Sequence, residues 1–275
     1  MRHVLRPFII FTDLDGTLVD SKYSFRAALP ALHNLKERRI PLILCSSKTR
    51  SELQLYRKRL GNSDPFITEN GGGIFIPNGY FSADIVGFVD KSFEETHGYQ
   101  LLRLGARYED LRHLVRAMRA EGYELKGFGD MSVADLVELT GLSLKEAALA
   151  KKREFDEPFI AGDACGINPV LRRIEEAGFH VATGRFHHIV GDSDKGKAVS
   201  MLIELYKKHF GNITTAAVGD SPNDLAMLER VDYPVIVMKD DGTYDSTLDS
   251  QGMIKAEGIG PAGWNKEILR LLSEI

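Results

Sequence analysis

A chain of 275 residues that is 43% hydrophobic can bury one large core or two modest ones and need not be disordered. A net charge of −4 runs against the basic face of a nucleic-acid binder but leaves room for a local basic pocket. Cys45 and Cys165 are too few for a disulfide framework and point to a reducing, cytosolic setting. The start MRHVLRPFIIF meets acids too soon for a signal peptide, and no run reaches the roughly 18 apolar residues of a membrane span.

FIIF (8–11) reads as a strand and is followed by a helical pattern over 24–39. PLILCS (41–46) reads as a second strand, with a helix over 49–60. PFITEN then leads to GGGIFIP. This alternation predicts an α/β fold, a parallel sheet with helices on its faces. The middle of the chain changes character. GYQLLRLG (98–105) reads as a strand and YEDLRHLVRAMRAEG (108–122) as an amphipathic helix. Helices near 132–140 and 143–153, the run PFIAG, a helix over 168–177 and the β-like stretches FHVATG and RFHHIV complete it. These segments predict an α+β insertion over 89–189 that divides the α/β part into 1–88 and 190–275. The first pattern then returns: a helix over 196–211, the strand TTAAVGD (214–220), a helix over 222–231 and the strand YPVIVM (233–238).

The acids stand out against this frame. Residues i and i+2 of a strand face one side, so Asp13 and Asp15 sit together where the first strand runs out. Ligands of open α/β sheets bind at those carboxyl ends. Two adjacent carboxylates repel unless one is protonated or a cation lies between them; the competing reading is a simple Asp15-Gly16 turn. AAVGDSPNDLAML (216–228) ends another strand in Asp220 and places Asp224 one helical turn on, where the competing role is a helix cap. Two such strand ends in one sheet gather acids that call for a hard divalent cation. An oxygen-rich, cysteine-poor set favours Mg2+ over zinc.

Ser46, ending the second strand, is placed to bond a phosphoryl oxygen, although it, Ser47 or Thr49 would equally serve as an N-cap. Lys195 and Lys197 open a helix, where the macrodipole disfavours a cation. Either they are plain surface lysines or they balance the acids and hold a phosphate.

Taken in order, DLDGT (13–17), CSSK with Ser46, DKGKA with Lys195 and GDSPND (219–224) resemble the four motifs of the haloacid-dehalogenase-like (HAD) phosphatase superfamily. The resemblance implies a Rossmann-like core carrying an inserted α+β cap of the C2B-like type. LCSSKTRSEL, ITENGGGIFIP, LTGLSLKEAALAKKREFDEPF and GRFHHIVGDSDKGKAV are similar to its mannosyl-3-phosphoglycerate phosphatase branch. These resemblances imply that Asp13 is the nucleophile that forms an aspartyl-phosphate, and Asp15 the acid and then the base. They imply equally that Ser46 and Lys195 hold the phosphoryl oxygens. The metal set implied is Asp13, Asp15 through its carbonyl, Asp220 and Asp224, with Asp224 orienting rather than ligating. Ser221 stands where many relatives carry glycine.

By the same resemblance a small phosphorylated sugar-glycerate is the expected partner, with neither nucleic acid nor membrane involved and no oligomeric state fixed. Its carboxylate and sugar call for cations: Lys48, Arg50, Arg153, Arg185, His187 and His188 are the candidates, Arg185 foremost, each competing with a plain surface role. ENGGG (69–73) offers flexible backbone near the site or a plain hairpin turn. Rival substrates are glucosyl-3-phosphoglycerate and sucrose phosphate. Rival activities are a hexose phosphomutase and a non-catalytic Mg2+-binding module. Closure of the cap is a way to exclude water.

Overall fold

Phe8–Thr12 (β1) is five residues buried on both faces, the mark of a central strand in a covered parallel sheet. Phe8 and Ile10 enter one apolar cluster and Ile9 and Phe11 the other, as the two-residue period of a strand dictates. The computed structural model describes residues 6–89, 93–162 and 166–274, so Cys165 and the first five residues lie outside the described set. The further strands are Leu42–Cys45 (β2), Phe66–Thr68 (β3), Gly73–Pro77 (β4), Glu94–Thr96 (β5), Tyr99–Arg103 (β6) and Leu125–Gly127 (β7). They continue with Asp156–Ala161 (β8), His180–Thr183 (β9), His187–Val190 (β10), Thr214–Gly219 (β11), Tyr233–Met238 (β12) and Ile254–Ile259 (β13).

Nine strands form one sheet in the order β13-β12-β11-β1-β2-β3-β4-β6-β5. From β13 to β3 every pairing is parallel; β4, β6 and β5 join antiparallel. The change of direction follows from chain length, because the turn Glu69–Gly71 between β3 and β4 is too short for a crossover helix. The second sheet, β7-β8-β10-β9, is antiparallel. The helices Tyr108–Ala120 and Asn168–Glu176 bury Leu111, Val115, Val170 and Ile174 against it.

This α/β core with an α+β cap is the expected fold. The sheets part later in the chain than position 89, however. Residues 94–103, read from sequence as part of the insertion, extend the first sheet through the register Gly73↔Arg103 to Pro77↔Tyr99. Two helices are also shorter than their patterns. The 24–39 stretch begins as a 3-10 turn, and Pro30 opens the α-helix Leu29–Arg38. The 222–231 stretch is a 3-10 turn, Pro222–Asp224, and one helical turn, Leu225–Leu228. Among the described residues no helix is long and apolar enough to cross a membrane.

Candidate active site

β1 and β11 are parallel neighbours, paired Thr12↔Val218, so their carboxyl ends deliver Asp13 and Asp220 side by side. The end of β1 is fixed from below. Trp264 Nε1 donates to Thr12 Oγ1 at 3.0 Å, and Thr12 Oγ1 donates to the Asp13 carbonyl at 2.7 Å. Gly16 turns the chain with φ 76°, and a Cβ there would stand 2.7 Å from Asp220 Oδ2, so this turn needs glycine. Asp13, Asp220 and Asp224 each bring a carboxylate oxygen within 4.8 Å of the others.

Asp224 is spoken for on both oxygens. Oδ1 takes Lys195 Nζ at 2.6 Å; Oδ2 accepts from the backbone N–H groups of Asp220 (3.0 Å) and Ser221 (3.1 Å) and from Ser221 Oγ (3.3 Å). Lys195, buried at the start of the helix Lys195–Phe210, also donates to Asp13 Oδ1 at 2.6 Å. Burial works against its charge, but Asp13 and Asp224 outweigh it and hold the ammonium above its ordinary pKa. Asp13 is pushed well above the usual carboxylate range by burial; Lys195 opposes this, while Asp224 and Asp220 add to it. Asp220 rises to about 7, from burial and the Asp224 charge. Three crowded carboxylates with one ammonium are short of positive charge, and an all-oxygen donor set fits a hard divalent cation. This cluster can hold a metal ion.

Asp15 stands apart from that triad. Its Oδ2 lies 2.9 Å from Lys48 Nζ, and its Oδ1 is a buried atom without a hydrogen-bond partner among the described residues. Ser46 follows β2 and is fully buried, accepting from the Lys48 N–H at 3.3 Å. The cap role goes to Thr49, whose Oγ1 accepts from the Glu52 N–H while Glu52 Oε2 accepts from the Thr49 N–H at 2.9 Å. Lys197 is a surface lysine paired with Asp192.

Above these groups, between the two sheets, lies a cavity of about 330 Å³, lined by Asp13, Asp15, Lys48 and Asp220 from below and by Phe128, Arg153, Arg185 and His188 from the cap. The volume suits a small polar ligand. Four of the six cations named from sequence meet there. Lys48 is held by Asp15 and, at 3.7 Å, Glu52. Among the described residues Arg185 donates only to the carbonyls of Thr140 (3.0 Å) and Leu139 (3.4 Å), and no carboxylate pairs with it. Arg50 and His187 are not among the lining residues. Arg50 pairs with Glu154 at 2.8 Å, and the His187 ring lies 5.8 Å from that of Phe159, on the opposite face of β10 from His188.

Asp156 and Glu69 carry no mark of function in the sequence. Glu69 accepts from three successive backbone N–H groups of the cap, those of Glu154, Phe155 and Asp156. The glycines of ENGGG form a seat: a Cβ on Gly72 would meet Phe155 Cβ at 2.3 Å, and one on Gly73 would meet its ring at 2.5 Å. The one signal that could have found this junction is the glycine run.

The model of the haloacid dehalogenase-like hydrolase family matches residues 10–86 and 172–241. A protein of Methanococcoides burtonii named glucosyl-3-phosphoglycerate/mannosyl-3-phosphoglycerate phosphatase is 45% identical over 97% of each chain. One of the same name from Persephonella marina is 40% identical over 97% of this chain and 98% of its own. Among solved structures, a haloacid dehalogenase-like hydrolase from B. subtilis superposes with a TM-score of 0.68 at 17% identity, covering 96% of this chain and 99% of the other. The chain belongs to the haloacid dehalogenase-like hydrolase family.

Proposed function

We propose that this chain is a Mg2+-dependent phosphatase that hydrolyses mannosyl-3-phosphoglycerate to mannosylglycerate and inorganic phosphate. The observation that carries the reading is Asp13: a carboxylate at a strand end, against Lys195 and two further acids, at the floor of a cavity rimmed by cations. The names of the relatives support the substrate, and because they pair it with the glucosyl analogue, glucosyl-3-phosphoglycerate is the second substrate to test. The reading carries with it a cytoplasmic setting, expected from the two cysteines.

In the first step an Asp13 oxygen attacks phosphorus and the bond to the glycerate oxygen breaks. Asp15 gives its proton to that departing oxygen. In the second step Asp15 takes a proton from water, the water oxygen attacks the aspartyl-phosphate, and inorganic phosphate leaves with Asp13 restored. Lys195 and Ser46 hold the phosphoryl oxygens, since phosphoryl transfer depends chiefly on positioning and electrostatics. Asp13, Asp220 and the Asp15 carbonyl would hold Mg2+, with Asp224 orienting Lys195; the ion, when bound, offsets the charge of acids and phosphate. The cavity cations receive the glycerate carboxylate.

Phosphate release measured with purified protein and Mg2+ on mannosyl-3-phosphoglycerate, glucosyl-3-phosphoglycerate, sucrose 6-phosphate and hexose phosphates tests this. The highest kcat/KM on a glycerate ester is the expected result. Faster turnover of an ester without glycerate overturns the substrate assignment, and an isomerised sugar phosphate without free phosphate would indicate a mutase.

A further inference from the structure

We propose that Asp156 is a positioning residue for substrate selection: it holds Arg153 and His188 in the cavity wall as polar contacts for the part of the substrate beyond its phosphate. The inference rests on the phosphatase reading and adds to it a residue that touches no substrate itself.

Asp156 opens β8 and is 0% exposed. A carboxylate so placed is costly unless each oxygen finds donors. Oδ1 takes Arg153 Nη1 at 2.8 Å; Oδ2 takes His188 Nδ1 at 2.9 Å and Asn70 Nδ2 at 3.1 Å. Burial pushes the carboxyl up, but Arg153 and His188 more than offset it and keep the group ionised. Both side chains it holds are among those that line the cavity, beside Lys48 and Arg185. Arg153 is further fixed by donating to the carbonyls of Ser47 (2.7 Å) and Ala150 (2.9 Å). With these bonds made, Arg153 Nη2 and His188 Nε2 remain without a hydrogen-bond partner among the described residues.

One carboxylate therefore leaves a guanidinium nitrogen and an imidazole nitrogen free to bond a ligand, on two side chains that line the cavity. Hydroxyls and a carboxylate, the groups of a sugar acid, suit that pair. Asn70 also ties the cluster to the catalytic loop, because its Oδ1 accepts from Asn223 Nδ2 at 3.0 Å, one residue from Asp224. A buried network whose role was only to join cap and core would have no need to present both side chains to the cavity.

The test compares Asp156→Asn and His188→Asn with the wild type, in Mg2+, on mannosyl-3-phosphoglycerate and on p-nitrophenyl phosphate. An amide offers one acceptor oxygen where the carboxylate offers two, so in Asp156→Asn either Arg153 or His188 loses its hold. His188→Asn keeps a nitrogen near the place of Nδ1 and deletes Nε2. In both variants kcat/KM on the sugar-acid ester is expected to fall about 10- to 100-fold further than on p-nitrophenyl phosphate, chiefly through KM. Equal losses on the two esters, or none, overturn the proposal. If circular dichroism finds Asp156→Asn unfolded, His188→Asn decides alone.

A second readout needs no substrate. In the wild type, 15N NMR should find a proton on His188 Nδ1, as an Asp156 acceptor demands. A ring whose Nδ1 carries no proton overturns the pairing. Failure of the wild type to cleave the sugar-acid ester would count against the phosphatase reading, and the NMR result would still judge Asp156.

Discussion

Lys195 Nζ lies 2.6 Å from Asp13 Oδ1, and both side chains are buried. The same ammonium meets Asp224 at 2.6 Å. A cation shared by two acids in a dry site serves the fold as well as the proposed phosphate site, because removing it leaves carboxylates facing one another without a counter-charge. Lys195→Met keeps the length of the side chain and deletes its charge. It is expected to cost about 3–5 kcal/mol in urea unfolding without metal. It should also lower phosphate release by at least about 10²-fold with Mg2+ present. A variant as stable as the wild type would show that the acids are not charged together in the folded protein.

The nucleophile assignment is sharper. Asp13→Asn preserves shape and an acceptor for Lys195 but cannot form an acyl-phosphate. Its turnover should fall by at least about 10³-fold with the circular dichroism spectrum unchanged. Acid-quenched wild type incubated with phosphorus-labelled substrate should carry label on Asp13, and Asp13→Asn none. Label on another residue, or persistent turnover, would move the nucleophile elsewhere.

The strand ends are legible because burial on both faces writes β1, β2, β11 and β12 as plain apolar runs, and Asp13 and Asp220 are the residues that end two of them. Neighbouring parallel strands then bring those acids together without further information. The 94–103 strands fall to the wrong sheet on sequence grounds because a two-residue period says that a segment is a strand but not which sheet receives it. Alternation along β10 likewise requires that His187 and His188 face opposite ways, yet leaves open which one sees the cavity; the register against Pro158 and Phe159 decides that. Asp156 is illegible for another reason. Its partner Asn70 lies 86 residues away in the chain, and no local pattern carries such a pairing. Ser221 keeps Asp224 in place by bonding it through both its N–H and its hydroxyl.

Phe155 joins cap to core in a way that invites a direct measurement. It is fully buried in the core cluster with Phe66 and Phe75, although its neighbours in sequence belong to the cap. Phe155→Ala should cost about 3–5 kcal/mol, read as a drop in the urea midpoint. Gly72→Ala drives a methyl to within 2.3 Å of Phe155 Cβ, and overpacking of this kind costs about 1–3 kcal/mol or more. The two changes act on one contact, so the double variant should lose less than the sum of the single losses. Strict additivity would mean that the glycines are required for some other reason.

Charge in the acid triad makes metal binding and pH interdependent. Asp220 has its pKa raised from the ordinary 3.8 to about 7, by burial first and Asp224 second. A raised pKa in the folded state means that metal-free stability is fully present below about 3.8 and is lost as pH climbs through about 7. Above that window Asp220 is anionic, and a bound divalent ion offsets its charge; below it, a proton occupies the same carboxylate and competes with the ion. Mg2+ should therefore raise the melting temperature more at about pH 8 than at about pH 5. A hundredfold excess over Kd is worth about 2.7 kcal/mol at the higher pH. EDTA should abolish both the shift and phosphate release, and Asp220→Asn should remove most of the pH dependence of the shift. A Mg2+ shift of equal size at both pH values would show that the ion binds away from these carboxylates.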